Sequence, residues 1–260
     1  FICAQIAAAS GLVTLVSGTS LTCVDGEISV DELCNVSGLD LSTSELTSID
    51  GLSYATSLAE LHLDTLSFDG EATSSLDLSE LVGLPLTTLT LDNTNIVIDA
   101  TILGNIPATN LLTLSLQNLS VPADTDFSGF ESLEELNVSN NTAFTIASSD
   151  VFPSSLLSLD ISGCTSITEL SSVPTDLMSL SIEGLSISDI SLLSDFTALE
   201  ILNANSIGLT DWDLFSIAGL SLLTTLSLSG NSLTDISLLY QLSSLVTLDV
   251  TSNKLCNVNN

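Results

Sequence analysis

A short pattern of leucines recurs along the chain and limits the folds that it can adopt. The pattern is L-x-x-L-x-L-x-x-N-x-L, and it is clearest at Leu223, Leu226, Leu228, Asn231 and Leu233. It returns at Leu245, Leu248, Val250, Asn253 and Leu255. Its central pair recurs at Leu39/Leu41, Leu61/Leu63, Leu89/Leu91, Leu114/Leu116, Leu136/Val138, Leu159/Ile161, Leu180/Ile182 and Leu202/Ala204. Copies spaced about 21 to 28 residues apart indicate one structural unit used repeatedly.

The physics of the repeat predicts the architecture. Each L-x-L is a short strand whose two leucines point inward while the residue between them faces water. One repeat cannot bury its leucines alone, so neighbouring repeats stack and their strands form a parallel sheet. The return segments, such as "LTDISLLYQLSSL", carry their own apolar pattern. We expect a solenoid with a parallel sheet on the concave face and irregular, 3-10 or short helical turns on the convex face.

Several segments resemble a known repeat family. "LTSIDGLSYATSLAELHL", "ISDISLLSDFTALEIL" and "LTDISLLYQLSSLVTL" are similar to the 22-residue leucine-rich repeats of internalin-type surface proteins. "GEISVDELCNVSGLDLS" resembles the entry segment that often precedes the first repeat. The resemblance runs from about residue 19 to the end and implies a leucine-rich-repeat solenoid of about ten repeats. We expect an N-terminal capping segment at 1–35 and the solenoid at 36–260.

The asparagine position departs from the family pattern. Asn at this position hydrogen-bonds the backbone of the turn. The ten copies carry Ser44, Leu66, Thr94, Leu119, Asn141, Cys164, Leu185, Ile207, Asn231 and Asn253. With three asparagines left, the sequence predicts a weakened ladder. The family tolerates Cys here, so Cys164 is interpreted as a structural core thiol.

The charge balance excludes several classes of partner. The formal net charge is −31, and Lys254 is the only lysine or arginine in the sequence. A chain without basic residues cannot neutralise phosphates, which argues against nucleic acid and against anionic membrane surfaces. Ser, Thr or Asp interrupts every apolar run, so no membrane insertion is expected. The acidic residues are dispersed and form no calcium-loop motif, so no metal or cofactor is expected.

Sequons and cysteines favour a location outside the cell. Asn35, Asn118, Asn137 and Asn140 each begin an Asn-x-Ser/Thr sequon. Five cysteines point the same way. The start, "FICAQIAAAS", has no Met and no positive region, and we interpret it as the start of a processed or longer chain. We therefore predict an extracellular or cell-surface glycoprotein.

The strand face is the usual binding surface of such a solenoid. Between the paired core positions lie Asp40, His62, Thr90, Ser115, Asn137, Asp160, Ser181, Asn203, Ser227 and Asp249. Two positions earlier lie Gly38, Glu60, Thr88, Thr113, Glu135, Ser158, Ser179, Ile201, Thr225 and Thr247. Neither column contains an aromatic residue or Arg, the usual protein-binding hot spots, so a tight protein ligand is not expected there. His62 is expected to be merely solvated, and Trp212 to pack as core.

The remaining cysteines allow three connectivities. Cys23 and Cys34 bracket the entry segment, so a local bridge between them is the easiest to build. Cys3 and Cys256 would then lie at opposite ends of the solenoid, about 45 Å apart for ten strands. A disulfide needs Cα atoms within about 7 Å, so these two could join only between molecules.

The last repeat needs a cover. After Leu255 only "CNVNN" remains, and terminal repeats require a cap. Either the chain continues beyond residue 260, or the apolar start of another copy, "FICAQIAAASGLVTLV", covers the end. The second option predicts head-to-tail assembly, locked by Cys3 and Cys256, into a filament.

Three function classes follow. The first is a non-enzymatic extracellular scaffold, structural or adhesive, whose partners are other copies of itself. The second is a receptor-like recognition module for an extracellular protein or glycan. The third, motivated by hydroxyl rows such as Thr88/Thr90 and Thr225/Ser227, is binding to ice or carbohydrate surfaces. No set of acid, base and nucleophile suggests an enzyme.

Overall fold

A computed structural model describes residues 13–15, 20–21, 33–42, 49–65, 78–94 and 96–255. The chain divides into two compact units. The N-terminal unit contains Phe1–Pro122 and Gly129–Leu136, and the C-terminal unit contains Ala123–Ser128 and Asn137–Asn260. The predicted capping segment at 1–35 lies largely outside the described residues, and its boundary at 35 stays a prediction.

The N-terminal unit is organised around parallel strands built on the leucine pairs. They are β3 (Gly38–Asp40), β4 (Glu60–His62), β5 (Thr88–Thr90) and β6 (Thr113–Ser115). Leu39, Leu61, Leu89 and Leu114 are paired in register. Two further strands, β1 (Val13–Leu15) and β2 (Ser20–Leu21), precede them, and β1 pairs antiparallel with both β2 and β3.

The C-terminal unit repeats the arrangement. Its parallel strands are β8 (Ser158–Asp160), β9 (Ser179–Ser181), β10 (Ile201–Asn203), β11 (Thr225–Ser227) and β12 (Thr247–Asp249). Leu159, Leu180, Leu202, Leu226 and Leu248 are paired in register. The remaining strand, β7 (Glu135–Asn137), crosses the sequence boundary at Leu136. Each of β3 to β12 is three residues long, but it begins one residue before the first core position, so the second core position follows the strand and does not end it as the L-x-L prediction had it.

The return segments form short turns, as predicted. They contain the 3-10 helices η1 (Leu52–Tyr54), η2 (Leu78–Leu81), η3 (Ser149–Val151), η4 (Ile190–Asp195), η5 (Asp213–Ser216) and η6 (Ser237–Gln241), and the α-helix α1 (Ala100–Asn105). Asp99 caps α1, because its carboxylate accepts hydrogen bonds from the backbone N–H groups of Thr101 and Ile102. Asp189 caps η4 in the same way through Ser191.

The core of each unit consists of the inward leucines of the strands and several apolar residues of the return segments, such as Leu78, Leu81, Leu84 and Leu86 between β4 and β5. Strand residues Leu61, Leu89, Leu180 and Leu226 are completely buried. In the C-terminal unit Phe127 and Phe144 are also buried and pack edge to face, with ring centroids 6.1 Å apart. Such aromatic pairs add to the stabilisation from burial.

A tight turn follows each of the strands β4 to β12 and contains a left-handed residue. The described residues with positive φ at this position are Thr65, Asn93, Asn118, Asn140, Gly163, Gly184, Ser206, Gly230 and Ser252. Gly and Asn tolerate this conformation best. A Cβ at Gly163 would collide with the Asn140 side chain of the preceding coil, and one at Gly230 with Ser206. These two glycines therefore permit both the turn and the close stacking of coils.

Candidate functional surfaces

The structure places the predicted central column at the last position of each strand. Within each unit its members pair in register, from Asp40 through His62 and Thr90 to Ser115, and from Asp160 through Ser181 to Asp249. Most are half-buried, and Asp40 is exposed. Ser115 is buried, so the expectation that it faces water is wrong. Its hydroxyl donates to Asp92 instead (2.7 Å).

A polar column that the sequence analysis missed connects adjacent coils. It is formed by the residue directly after the second core position of each repeat. Asp64 accepts from the Thr90 hydroxyl and from the Asp92 N–H, both at 2.8 Å. Asp92 in turn accepts from Ser115 and from the Gln117 N–H. In the C-terminal unit Asn205 accepts from the N–H of Ser229 (2.6 Å). The column is therefore a coil-to-coil ladder.

Burial changes the acidity of one carboxyl in this ladder. Desolvation raises the pKa of Asp92, and the neighbouring negative charge of Asp64 acts in the same direction. The hydrogen bonds from Ser115 and Gln117 oppose the shift without cancelling it.

His62 has more partners than expected but no catalytic arrangement. Its Nδ1 lies 3.0 Å from the Thr90 hydroxyl oxygen, and that hydroxyl donates to Asp64. Since the Thr90 proton is directed at the carboxylate, His62 serves as the donor to Thr90. A general base would have to accept that proton. The arrangement holds two strands together and does not activate the hydroxyl.

The asparagine ladder is present where its residues remain. The Asn231 side chain donates to the carbonyls of Ala204 and Leu228, both at 2.9 Å, and accepts from the N–H groups of Ile207 and Leu209. Asn141 and Asn253 also bond turn carbonyls.

Cys164 occupies the same ladder position. It is buried, and its thiol lies 3.1 Å from the Val138 carbonyl. Burial raises the pKa of this thiol to about 11, which keeps it protonated at neutral pH. The interpretation of Cys164 as a structural thiol agrees with this environment.

The sequon asparagines lie at accessible positions. Asn35, Asn118 and Asn140 are exposed, and Asn137 is half-buried on the strand face. Asn118 and Asn140 are also two of the left-handed turn residues, which gives them a structural reason to be Asn. Glycosylation at the four positions stays a prediction.

The described residues contain free thiols at Cys34, which is half-buried, and at Cys164. Cys3, Cys23 and Cys256 lie outside the described residues. The Cys23–Cys34 pairing receives no support, and both predicted pairings stay predictions.

In the described part of the chain no helix has the length and hydrophobicity for a membrane crossing, and no group of metal-ligating side chains is found.

The return side of the C-terminal unit exposes aromatic residues, and one of them corrects a prediction. Trp212 was expected to pack as core, but 80% of its surface is exposed. A 3-10 helix has three residues per turn, so residues three apart share a face. Leu214 and Ile217 form the buried face around η5, which leaves Trp212 and Phe215 outside. These two rings stack, with centroids 5.9 Å apart and planes at 23°.

Trp212 lies beside a polar cleft of about 420 Å³. The cleft is lined by turn residues around η4 and η5, among them Asp189, Ser191, Asp213 and Ser216. One oxygen of Asp189 accepts from Ser191, and one oxygen of Asp213 accepts from Thr210. Hydrogen bonds from Ser191 lower the pKa of Asp189, which keeps this carboxyl ionised.

The last described coil is less covered than the one before it. Leu226 in β11 is fully buried, whereas its counterpart Leu248 in β12 is 38% exposed. Val246, just before β12, is 84% exposed. The apolar positions of the final coil therefore form an open surface in the described part of the chain.

These features together define a leucine-rich-repeat solenoid. No family model and no curated protein matches the chain. Solved structures do match, and those compared are all leucine-rich-repeat proteins. Internalin C2 from Listeria monocytogenes is 21% identical with a TM-score of 0.55, over 95% of this chain and 91% of that one.

Two other solved structures are similar at the same level. The functional domain of InlJ from Listeria monocytogenes is 20% identical with a TM-score of 0.53, over 98% of this chain and 60% of that one. Mouse RP105, solved in complex with MD-1, is 20% identical with a TM-score of 0.60, over 81% of this chain and 37% of that one. These likenesses confirm the predicted fold.

Proposed function

We propose that the protein is a non-enzymatic interaction scaffold that acts outside the cell and associates with other copies of itself head to tail. The observation that carries the proposal is the open surface of the final coil, where Val246 and Leu248 are exposed. In the described part of the chain β12 lies at the edge of the sheet, and an edge strand with exposed apolar neighbours favours association. Residues 1–12 of the apolar start, which lie outside the described residues, have a composition suited to covering it, whereas Val13–Leu15 already pair with β3.

Sedimentation velocity over a range of concentrations tests this association. We expect the wild-type protein to form larger species as its concentration rises. Val246→Asp should move that transition to at least about tenfold higher concentration, because it places a charge on the apolar contact. Val82→Asp, at an exposed valine of the N-terminal unit, is the matched control and should have no effect. A wild-type monomer at every concentration would contradict self-association.

The covalent part of this proposal has its own test. If Cys3 of one copy bonds Cys256 of the next, non-reducing gel electrophoresis should show a ladder of multimers that collapses with thiol. Cys256→Ser should remove the ladder, whereas Cys164→Ala should leave it in place. A single monomer band without reductant would rule out the bond and leave non-covalent association open to the sedimentation assay.

A recognition module is the second candidate, and the exposed Trp212–Phe215 stack favours it. Exposed stacked aromatics beside a cleft are typical of binding surfaces, where Trp is among the most frequent hot-spot residues. RP105 is a structural neighbour solved with a protein bound, which shows that this fold accommodates protein partners. A screen of extracellular proteins with the deglycosylated protein tests this candidate.

A further inference from the structure

We propose that the stacked rings of Trp212 and Phe215, with the carboxylates of Asp189 and Asp213, form a docking site for an arginine-bearing segment of a partner protein. This inference rests on the recognition function proposed above and names the chemistry of the partner. We call these four residues the aromatic–acidic site. All of them belong to the C-terminal unit, on the turns around η4 and η5.

The first argument is the exposure of the rings. Large aromatic residues are placed in water at a cost, and this chain has a single Trp. Trp212 is 80% exposed and Phe215 is 61% exposed, and the two rings stack with their planes at 23°. The buried face of η5 is already filled by Leu214, so the exposed pair is not needed for the core. The exposed surfaces of the two rings form what we call the aromatic platform.

The second argument is the hydrogen-bonding capacity of the carboxylates. Asp189 and Asp213 line the same cleft as Trp212. Each uses one oxygen to accept two turn hydrogen bonds, from the N–H and hydroxyl of Ser191 for Asp189 and from those of Thr210 for Asp213. Among the described residues the second oxygen of each has no partner, so two negatively charged acceptors remain available beside the aromatic platform.

The third argument is charge complementarity. A cation is attracted to the face of an aromatic ring, most strongly to Trp. The guanidinium of Arg is planar, stacks on rings, is weakly hydrated, and donates to carboxylates in a fixed geometry. The chain itself supplies one lysine and a net charge of −31, so the complementary cation has to come from another molecule. The negative electrostatic field of the whole protein would attract such a cationic segment towards the protein surface.

Trp212 provides a selective reporter, because it is the only tryptophan. The experiment titrates tetra-arginine, tetra-lysine and tetra-citrulline peptides while the tryptophan emission is recorded, at about 0.15 M salt to screen general attraction. We expect saturable changes with the arginine peptide, at least about fivefold weaker binding of the lysine peptide, and none of the neutral peptide.

Substitutions then locate the site. Anisotropy of a labelled arginine peptide should show at least about tenfold weaker binding for Trp212→Ala, and a clear loss for Phe215→Leu, Asp189→Asn and Asp213→Asn. Asp150→Asn removes an exposed carboxylate from η3 and should change little. Circular dichroism should confirm that each variant is folded, as expected for substitutions outside the buried core.

Four outcomes would overturn the inference. In the first, the arginine and lysine peptides bind equally well, and Asp150→Asn weakens their binding as much as the substitutions in the site do. This result would mean that the peptides are attracted to the net charge alone. Peptide binding without a change in tryptophan emission would place the peptide elsewhere. A response to maltohexaose and not to arginine would identify a carbohydrate surface. A protein partner whose binding survives Trp212→Ala would refute this site and leave the recognition function standing.

Discussion

The last two coils of the chain have the same pattern and differ in what covers them. The coil from Leu223 to Leu233 and the coil from Leu245 to Leu255 match at every apolar position of the repeat and at the asparagine. All four leucines of the first are fully buried, and none of the corresponding residues of the second is. The repeat pattern therefore determines which side chains point inward, and a neighbouring coil is needed to bury them.

This difference follows from the energetics of stacked repeats. The stability of a repeat array is approximately the sum of weak intrinsic terms and strong interfaces between neighbours. A coil with one interface lacks a large part of the burial that a coil with two obtains. Identical residues in the two coils should therefore have unequal effects when they are changed.

The largest expected effect is on the leucines. Leu226→Ala deletes a fully buried side chain between two coils and should lower the free energy of unfolding by about 3 kcal/mol. Leu248→Ala removes a side chain that is already 38% exposed and should cost about 1 kcal/mol. Urea unfolding followed by circular dichroism measures both. Equal losses of stability from the two substitutions would show that the final coil is covered in solution. Self-association predicts this result at high protein concentration.

The asparagines should show a smaller contrast of the same kind. Asn231→Ala leaves the carbonyl of Ala204 and the N–H of Leu209 without their side-chain partner, at a cost of about 2 to 4 kcal/mol, while the Leu228 carbonyl keeps its bond from Asn253. Asn253→Ala also removes bonds to Leu228 and Val250, but in a half-exposed coil where water replaces them, at about 1 kcal/mol. Hydrogen exchange at the Leu209 and Leu233 amides would locate each loss, since both donate to these side chains.

The strands and their register were predictable because the leucine period identifies inward positions independently of distant residues. Leu226 and Leu228, for example, are both fully buried, as the pattern predicts. The return segments were less predictable. In "LTDWDLFSIAGL" two apolar pairs, Trp212/Phe215 and Leu214/Ile217, both have the three-residue spacing of a 3-10 turn. Packing against η4 and η6 decides which pair is inside, and the sequence of one coil does not contain that information.

The hydrogen-bonded ladder was missed for a related reason. Asp64 and Asp92 look like ordinary solvated acids in their own repeats. Their partners, Thr90 and Ser115, lie more than 20 residues away and become neighbours only when the coils stack. A column of polar residues directly after the second core position was visible in the sequence, and its regularity was the signal that could have identified it.

The smallest expected effect is on stability, and it compares a carboxyl whose pKa is raised by burial, Asp92, with one whose pKa is lowered by hydrogen bonds, Asp249. Burial raises the pKa of Asp92, so its ionisation opposes folding, and the stability it contributes is lost as pH rises through the folded pKa. Asp92→Asn keeps an acceptor for Ser115 and removes that charge. It should be more stable than wild type at pH 7, by less than about 1 kcal/mol, and the gain should disappear in acid.

Asp249 should behave in the opposite way. Hydrogen bonds from Thr251 lower its pKa, so its contribution to stability is present above the ordinary value near 3.8 and is lost as pH falls through the folded pKa. Asp249→Asn should therefore be slightly less stable than wild type at pH 7 and equal to it in strong acid. Thermal unfolding of both variants across this pH range measures the two differences. A change in stability of the same sign for both variants would mean that the overall negative charge of the protein, and not the local surroundings, determines how these carboxyls affect stability.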